Sequence, residues 1–424
     1  MKKSHTGLDR RSVLMGAGAV AAATAVTGFP YIAKAQNNPI RIGMPTILSG
    51  RVAILGETSR AGARLAIQRF NDAGGLNGRP LELVARDSRG QPDEAARVTR
   101  DLINTAGCEI IIDAEASSGA FAVHEVIREL PALCLHSCAE TSALSANPQL
   151  HVPTAFRCAR QGIHDAVAGG RYAANMAREM GLTRWMTISP DYAYGRDTTA
   201  EFLEYLKIFE PSVELVDEAW PSLFEPDYTA HVTRILRTQP QALYSALWGG
   251  DLVSFIEQAS LFGVMAADIQ FFSVNMADPP ITVAVNTLPE GNRSVYRYDP
   301  EFPENPENRA FFEDHQALAG GLLPTNWSWQ NYTAANFIIE ALRRTDGNTD
   351  GAALSEALED MDLDSPFSET GRITMRGSDH TIINYPVAWG ESRAEPRGFH
   401  NWVPGDWDEI IELEAEWKER QGYT

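Results

Sequence analysis

Few side chains in this 424-residue sequence stand in an arrangement that could carry covalent chemistry. The nine histidines fall at no metal-ligand spacing, and the chain has no GxSxG elbow, no HExxH pair and no P-loop. Glu115 and Glu140 could be cast as the two carboxylates of a glycoside hydrolase, but no pattern fixes their separation. The four cysteines, Cys108, Cys134, Cys138 and Cys158, include no CxxC and no zinc-type spacing. In an oxidising compartment they could form one or two disulfides, with three complete pairings open. What the sequence does offer is binding chemistry. Ser117-Ser118-Gly119 lies between an apolar strand and a helix, where a hydroxyl and free backbone N–H groups gather at the helix's positive end. Such an end suits a carboxylate or another oxygen-rich group, and the plain alternative is an ordinary helix cap. No catalytic residue, cofactor or metal ligand is expected.

The elements that must position this pair begin with residues 40–87. An apolar strand (Ile40-Arg41-Ile42-Gly43-Met44) leads to Leu48-Ser49-Gly50, then to a helix over about residues 57–70 whose Ala61, Leu65, Ala66, Ile67 and Phe70 share one face. Asn71-Asp72-Ala73-Gly74-Gly75-Leu76-Asn77-Gly78-Arg79-Pro80 then returns the chain to a second strand that ends at Asp87. Helices over 92–106 and 120–130 alternate with strands over 109–113 and 132–136. The alternation restarts after residue 157, with strands over 185–188, 213–216, 242–247 and 269–274 separated by helices. That order predicts two doubly wound parallel sheets with right-handed crossovers. From residue 290 the chain is expected to return to the first sheet, with a strong helix over 332–343 and strands over 371–374 and 382–389. An acidic helix over 406–420 closes it.

Length points to two domains. The formal net charge of −20 argues against a nucleic-acid or anionic-membrane partner, since both need clustered Lys and Arg. Residues 1–35 read as an export signal rather than part of the fold. Arg10-Arg11 precedes a Gly- and Ala-rich apolar run, and Ala33-Lys34-Ala35 supplies the small residues a signal peptidase needs. The segment resembles a twin-arginine signal, with cleavage near Ala35 and delivery of the folded chain to the periplasm. A retained anchor is the alternative, and the run is short and alanine-rich for a spanning helix.

Taken in order, Ile42-Gly43, Leu48-Ser49-Gly50, Gly56, Ala66-Ile67, the block 71–80, Asp87, Ser117-Ser118, Tyr194-Gly195 and Trp248-Gly249-Gly250 resemble the type I periplasmic solute-binding proteins of ABC importers, in the branch that binds branched-chain amino acids and related ligands. The resemblance implies two α/β lobes joined by three hinge crossings, near Cys158, Glu290 and residues 372–380. Lobe 1 would then hold residues 36–157 and 291–373, and lobe 2 residues 158–290 and 374–424. It implies an extracytoplasmic subunit that closes on a small polar solute (an amino acid, a related amide, a urea-like compound or an aromatic acid) and delivers it to ABC permease subunits in the inner membrane. The expected form is a monomer. A ligand-sensing receptor domain without transport is the alternative, and a hydrolase stands behind both.

The resemblance also assigns positions. Ser117 and Ser118 would hold the ligand's acidic end. The turn over 137–141, with Cys138, Glu140 and Thr141, would supply a second contact, although a glutamate there departs from the amino-acid binders. Tyr194 and Trp248 would cover the apolar part. Asn275 stands where amino-acid binders carry an acid for the α-ammonium, a second departure for which Asp251 could substitute. Trp327 or Trp329 could add a wall. Glu115 and Glu140 either meet a ligand with amide, amine or hydroxyl groups or face solvent, the second being the favoured reading.

Overall fold

The computed structural model describes residues 38–288 and 290–424, so the proposed export signal and its cleavage site near Ala35 lie outside the described residues. The first sheet is started by β1 (Ile40–Thr46), β2 (Leu81–Asp87), β3 (Ile110–Asp113), β4 (Leu133–His136) and β5 (Ala155–Arg157), with helices Ile54–Asp72, Pro92–Asn104 and Ser117–Glu129 between them. β3 and β4 are buried along their whole length, as the near-continuous apolar strands of a covered parallel sheet must be. Helix Ile54–Asp72 buries Leu65, Ala66 and Phe70. Gly74, Gly75 and Gly78 then take φ of +104°, +64° and +83° in the return to β2, a conformation that glycine adopts without a Cβ penalty.

After Arg157 the chain passes to a second sheet through helix Gly162–Met180. Its strands are β6 (Arg184–Ile188), β7 (Glu214–Ala219), β8 (Ala242–Ser245), β9 (Gln270–Ser273) and β10 (Arg293–Val295), with helices Ala193–Phe209, Thr229–Thr238 and Gly249–Leu261 between them. The chain then goes back. Helix Asn326–Arg344 packs along helix Ile54–Asp72, and β11 (Asp362–Asp364), β12 (Arg372–Arg376) and β13 (Thr381–Ile383) extend the first sheet. β14 (Ala388–Arg393) and β15 (Gly398–Pro404) complete the second sheet, and helix Trp407–Gln421 packs on helix Gly162–Met180.

The eight strands of the first sheet lie in the order β11-β12-β13-β5-β4-β3-β1-β2, and the seven of the second in the order β15-β14-β10-β9-β8-β6-β7. These are two α/β lobes with mostly parallel sheets. Each carries an antiparallel edge that the sequence pattern does not anticipate: β11 on β12 and β12 on β13 in one, β10 on β14 and β14 on β15 in the other.

The same pairings move two of the crossings. β10 runs parallel to β9 and antiparallel to β14, so the second lobe extends to Val295 and not only to residue 290. β12 and β13 both belong to the first sheet, so the third crossing is residues 384–387 and not 372–380. The run over 382–389 reads as one strand because its apolar residues are continuous. Asn384, at φ +63°, and Pro386 break it into β13 and β14. A three-residue strand such as β10 leaves too little period to be read inside a Pro- and charge-rich stretch. Among the described residues, no helix is long and apolar enough to cross a membrane.

Candidate functional site

The carboxyl ends of β3 and β4 in one lobe, and of β6, β8 and β9 in the other, open on one interlobe cavity, with about 270 Å³ of empty space when the open solvent at its mouth is included. This is the edge at which open α/β sheets take ligands. β3 delivers Ala116 and Ser117, β4 delivers Cys138 and Glu140, β6 delivers Tyr192 and Tyr194, β8 delivers Trp248 and β9 delivers Asn275. Leu55, Trp327 and Arg297 complete the wall.

Ser117 opens helix Ser117–Glu129, after an extended Ala116. The first turn closes with the Ala120 N–H on the Ala116 carbonyl at 2.9 Å, which leaves the N–H groups of Ser117, Ser118 and Gly119 as the helix's orphan donors. The Ser117 hydroxyl is 2% exposed and has no hydrogen-bond partner among the described residues. Ser118 is half-buried and is not part of the cavity wall.

The aromatic side is made by Tyr192, Tyr194, Trp248 and Trp327. The two tryptophans come from opposite lobes and meet edge to face, with ring centroids 5.6 Å apart and planes at 70°. Asn275 donates to the Tyr194 hydroxyl at 2.9 Å and to the Leu247 carbonyl at 3.1 Å, while its Oδ1 has no partner among the described residues. Trp329 is not a wall: it is fully buried and donates from Nε1 to the Arg297 carbonyl at 2.9 Å.

Neither glutamate faces solvent, against the favoured reading of the sequence; Glu140 stands in the cavity wall instead. Glu115 is fully buried away from the cavity wall. Burial first, then the neighbouring Asp113, pushes its carboxyl well above the ordinary range. Glu140 is 4% exposed, lines the cavity and meets Arg297, with Nη2–Oε1 at 2.5 Å and Nη1–Oε2 at 3.3 Å. Asn326 adds a donor to Glu140 at 3.2 Å. Arg297 reaches Asp165 at 4.0 Å, and Arg160 holds Asp165 in turn. Burial pulls against the guanidinium's charge, but Glu140 and Asp278 outweigh it and hold Arg297 protonated above its ordinary range. Asp278 takes the Asn326 N–H at 3.2 Å, and burial pushes its carboxyl up to about 7. A glutamate that would repel an anionic ligand is thus neutralised by an arginine.

Three other expectations change. Thr141 is buried outside the cavity wall, and its hydroxyl donates across the lobes to Asp197. Asp251 does not reach the cavity wall: it accepts the Phe224 N–H at 2.7 Å and faces Arg51 at 3.6 Å. All four cysteines are buried free thiols. Cys138, in the wall, is bonded by Ser59 and Asn331, and burial pushes its thiol up to about 12.

Sequence reasoning brought six of its eight positions to the cavity and missed Arg297, Tyr192, Leu55 and Ala116. Arg297 had a usable signal, an arginine between Tyr296 and Tyr298 in the segment that crosses between lobes. Tyr192 lies two residues before Tyr194 in a loop that the pattern already placed. Among the described residues, no group of three or more His, Cys, Asp and Glu is placed to hold a metal ion.

A family model described as periplasmic binding protein matches residues 39–389. The chain is 24% identical over 389 residues to the Leu/Ile/Val-binding protein homolog 4 of Brucella abortus, covering 87% of each. Its fold matches a solute-binding protein of an ABC transporter from Rhodopseudomonas palustris BisB5, solved with 3,4-dihydroxybenzoic acid, at TM-score 0.78 and 20% identity, over 87% of this chain and 98% of that one. It also matches the closed leucine-, isoleucine-, valine-, threonine- and alanine-binding protein of Brucella ovis at TM-score 0.72 and 22% identity, over 88% and 96%. These relatives are binding proteins, not enzymes.

Proposed function

Because the chain belongs to the periplasmic binding protein family, we propose that it is the extracytoplasmic substrate-binding subunit of an ABC importer. In this reading it acts as a monomer, closes its two lobes on one small acid, and presents the closed form to a membrane permease. The family places it outside the cytoplasm, and the export signal over residues 1–35 would take it there.

Among the solutes the sequence allows, an aromatic carboxylic acid is favoured. One observation carries this: the buried Ser117 hydroxyl, unpartnered among the described residues, sits at the N-terminus of a helix, in a cavity walled by Tyr192, Tyr194, Trp248 and Trp327. A carboxylate on Ser117 and a ring against the aromatic wall use both halves. An amino acid is the second reading, supported by the named relatives. Its ammonium group would have to share Glu140 with Arg297, because Asn275 offers an amide where an acid would serve.

The test is a thermal-shift and calorimetric screen of the mature chain against benzoate, 4-hydroxybenzoate, leucine, phenylalanine, simple amides and urea. A true ligand at about 100 times its Kd adds about 2.7 kcal/mol and binds one to one. No stabilisation by any of these compounds would count heavily against the importer reading. Trp248→Ala should weaken the binding found by about thirtyfold, the scale of a buried tryptophan anchor, with the fold retained. Unchanged affinity would remove Trp248 from the site. Loss of uptake of the identified compound in a deletion strain separates transport from sensing.

A further inference from the structure

The Gly249-Gly250 pair belongs to a motif the ligand cavity uses only through Trp248, and the glycines face something else. The loop between β1 and helix Ile54–Asp72 lies directly on them from the opposite lobe. A Cβ on Gly250 would stand 2.8 Å from both Arg51 Cγ and the Arg51 carbonyl oxygen. A Cβ on Gly249 would stand 3.3 Å from Val52 Cγ1 and 3.7 Å from Ile54 Cγ2. The first turn of helix Gly249–Leu261 is therefore a bare seat, and a side chain at residue 250 would push the loop away.

Arg51 fastens the loop once seated. Its Nη1 donates to the Glu225 carbonyl at 2.7 Å and lies 3.6 Å from Oδ1 of Asp251, which is 1% exposed. The other Asp251 oxygen accepts the Phe224 N–H, so one carboxylate ties the Glu225 loop and the incoming arginine together. Phe224 in turn reaches the first lobe, where its ring tip and Ile47 flank Gly90. The base of the Arg51 loop is fixed as well, since Asp87 accepts the N–H groups of Leu48 and Arg89 at 2.9 Å each. On both lobes the contact adjoins the ligand wall in sequence: Trp248 precedes Gly249, and Leu55 follows Ile54.

We propose that Arg51, seated on Gly249-Gly250 and bonded to Glu225 and Asp251, is an interlobe clasp that holds the cleft closed and slows escape of the ligand without touching it. The clasp rests on the two-lobe binding-protein reading. It consists wholly of protein contacts, so it biases closure whether or not a ligand is present. Arg51 is a positioning residue, and the glycine pair is what lets it dock.

The test uses the mature chain carrying spin labels at Asp93→Cys and Ala230→Cys, exposed positions on opposite lobes. Pulsed dipolar spectroscopy without ligand reads the closed-to-open ratio directly. Wild type should show a short-distance population. Arg51→Ala, which removes a charge-assisted bond from a partly exposed side chain, should lower the ratio about tenfold. Gly250→Ala should lower it at least as much, through the backbone clash. Arg51→Lys, with one compact ammonium in place of the fork, should fall between. For whichever compound of the panel binds, Arg51→Ala should raise koff about tenfold and leave kon nearly unchanged. A wild type with no closed population, or variants with unchanged distances, would overturn the clasp without reference to any ligand. If distances shift as stated while no panel compound binds, the clasp stands and the ligand reading fails.

Discussion

Removing Arg297 is the sharpest perturbation the site offers. Arg297→Met keeps most of the stem's volume and deletes a guanidinium that is 1% exposed. Glu140 is then left buried with the Asn326 amide as its remaining donor, and Asp165 and Asp278 converge on the same spot. Arg160 cannot step in, because Asp165 and the Pro386 carbonyl already engage it. Breaking a buried pair from one side costs about 3–5 kcal/mol, and Glu140 is the carboxylate left without its cation, since Arg160 still holds Asp165. Glu140→Gln should cost less, about 1–3 kcal/mol, because Arg297 keeps Asp165 and Asp278 as neighbours. The double variant should regain at least half of what Arg297→Met loses, which makes the coupling about 2 kcal/mol or more. Urea unfolding of the ligand-free mature chain at neutral pH, followed by circular dichroism, gives each midpoint and slope. A loss below about 1 kcal/mol for Arg297→Met, or no recovery in the double variant, would refute the reasoning.

Asp278 makes stability depend on pH in a direction opposite to that of an ordinary ion-paired carboxylate. Burial holds its native carboxyl up to about 7, so between about pH 4 and 7 the native state keeps a proton that the unfolded chain has lost, and stability falls as pH rises through that window. Asp278→Asn keeps an oxygen for the Asn326 N–H and should remove this component, ending more stable than wild type above about pH 7 with the difference vanishing below about pH 4. Parallel pH profiles for the two proteins would refute the assignment. The thiols give a simpler check: an aromatic disulfide reagent should find no reactive cysteine in the native chain and all four after unfolding without reductant. Fewer than four would mean a disulfide had formed.

The fold was legible because each early element repeats one unambiguous signal. The face of Leu65, Ala66 and Phe70, the Gly74–Gly78 return, and the unbroken apolar runs at Ile110 and Leu133 admit one reading each. Legibility failed where strands are three residues long or end at a left-handed residue. β10 has no period to read, and the break at Asn384 looks like any other polar residue in a strand. At the site, the edge of an open sheet pointed to Ser117, and the resemblance to a family pointed to Cys138, Glu140, Tyr194, Trp248 and Asn275. Arg297 follows a strand end too, but that strand is β10, which could not be seen. The cysteine count left disulfides possible in an oxidising compartment, and only the tertiary structure shows each thiol buried and free.

In sequence, Glu140 and Asn275 are two separate departures from an amino-acid site, one adding a charge and one removing it. The structure joins them. Glu140 supplies a carboxylate, and Arg297 consumes it. Asn275 supplies no charge and spends its amide donor on Tyr194, which fixes one ring of the aromatic wall. Among the described residues, the unpartnered polar atoms of the wall include the Ser117 hydroxyl at its helix end, the Trp248 and Arg297 Nε donors, and the Asn275 Oδ1 as a neutral acceptor. An α-amino acid needs both of its charges met within one small cluster, whereas a ring acid carries its one charge at one end and can place a neutral hydroxyl at the other. If 4-hydroxybenzoate binds and benzoate binds less tightly, Asn275→Leu should erase the difference between them. An undiminished preference for the hydroxylated acid would mean that Asn275 only orients Tyr194.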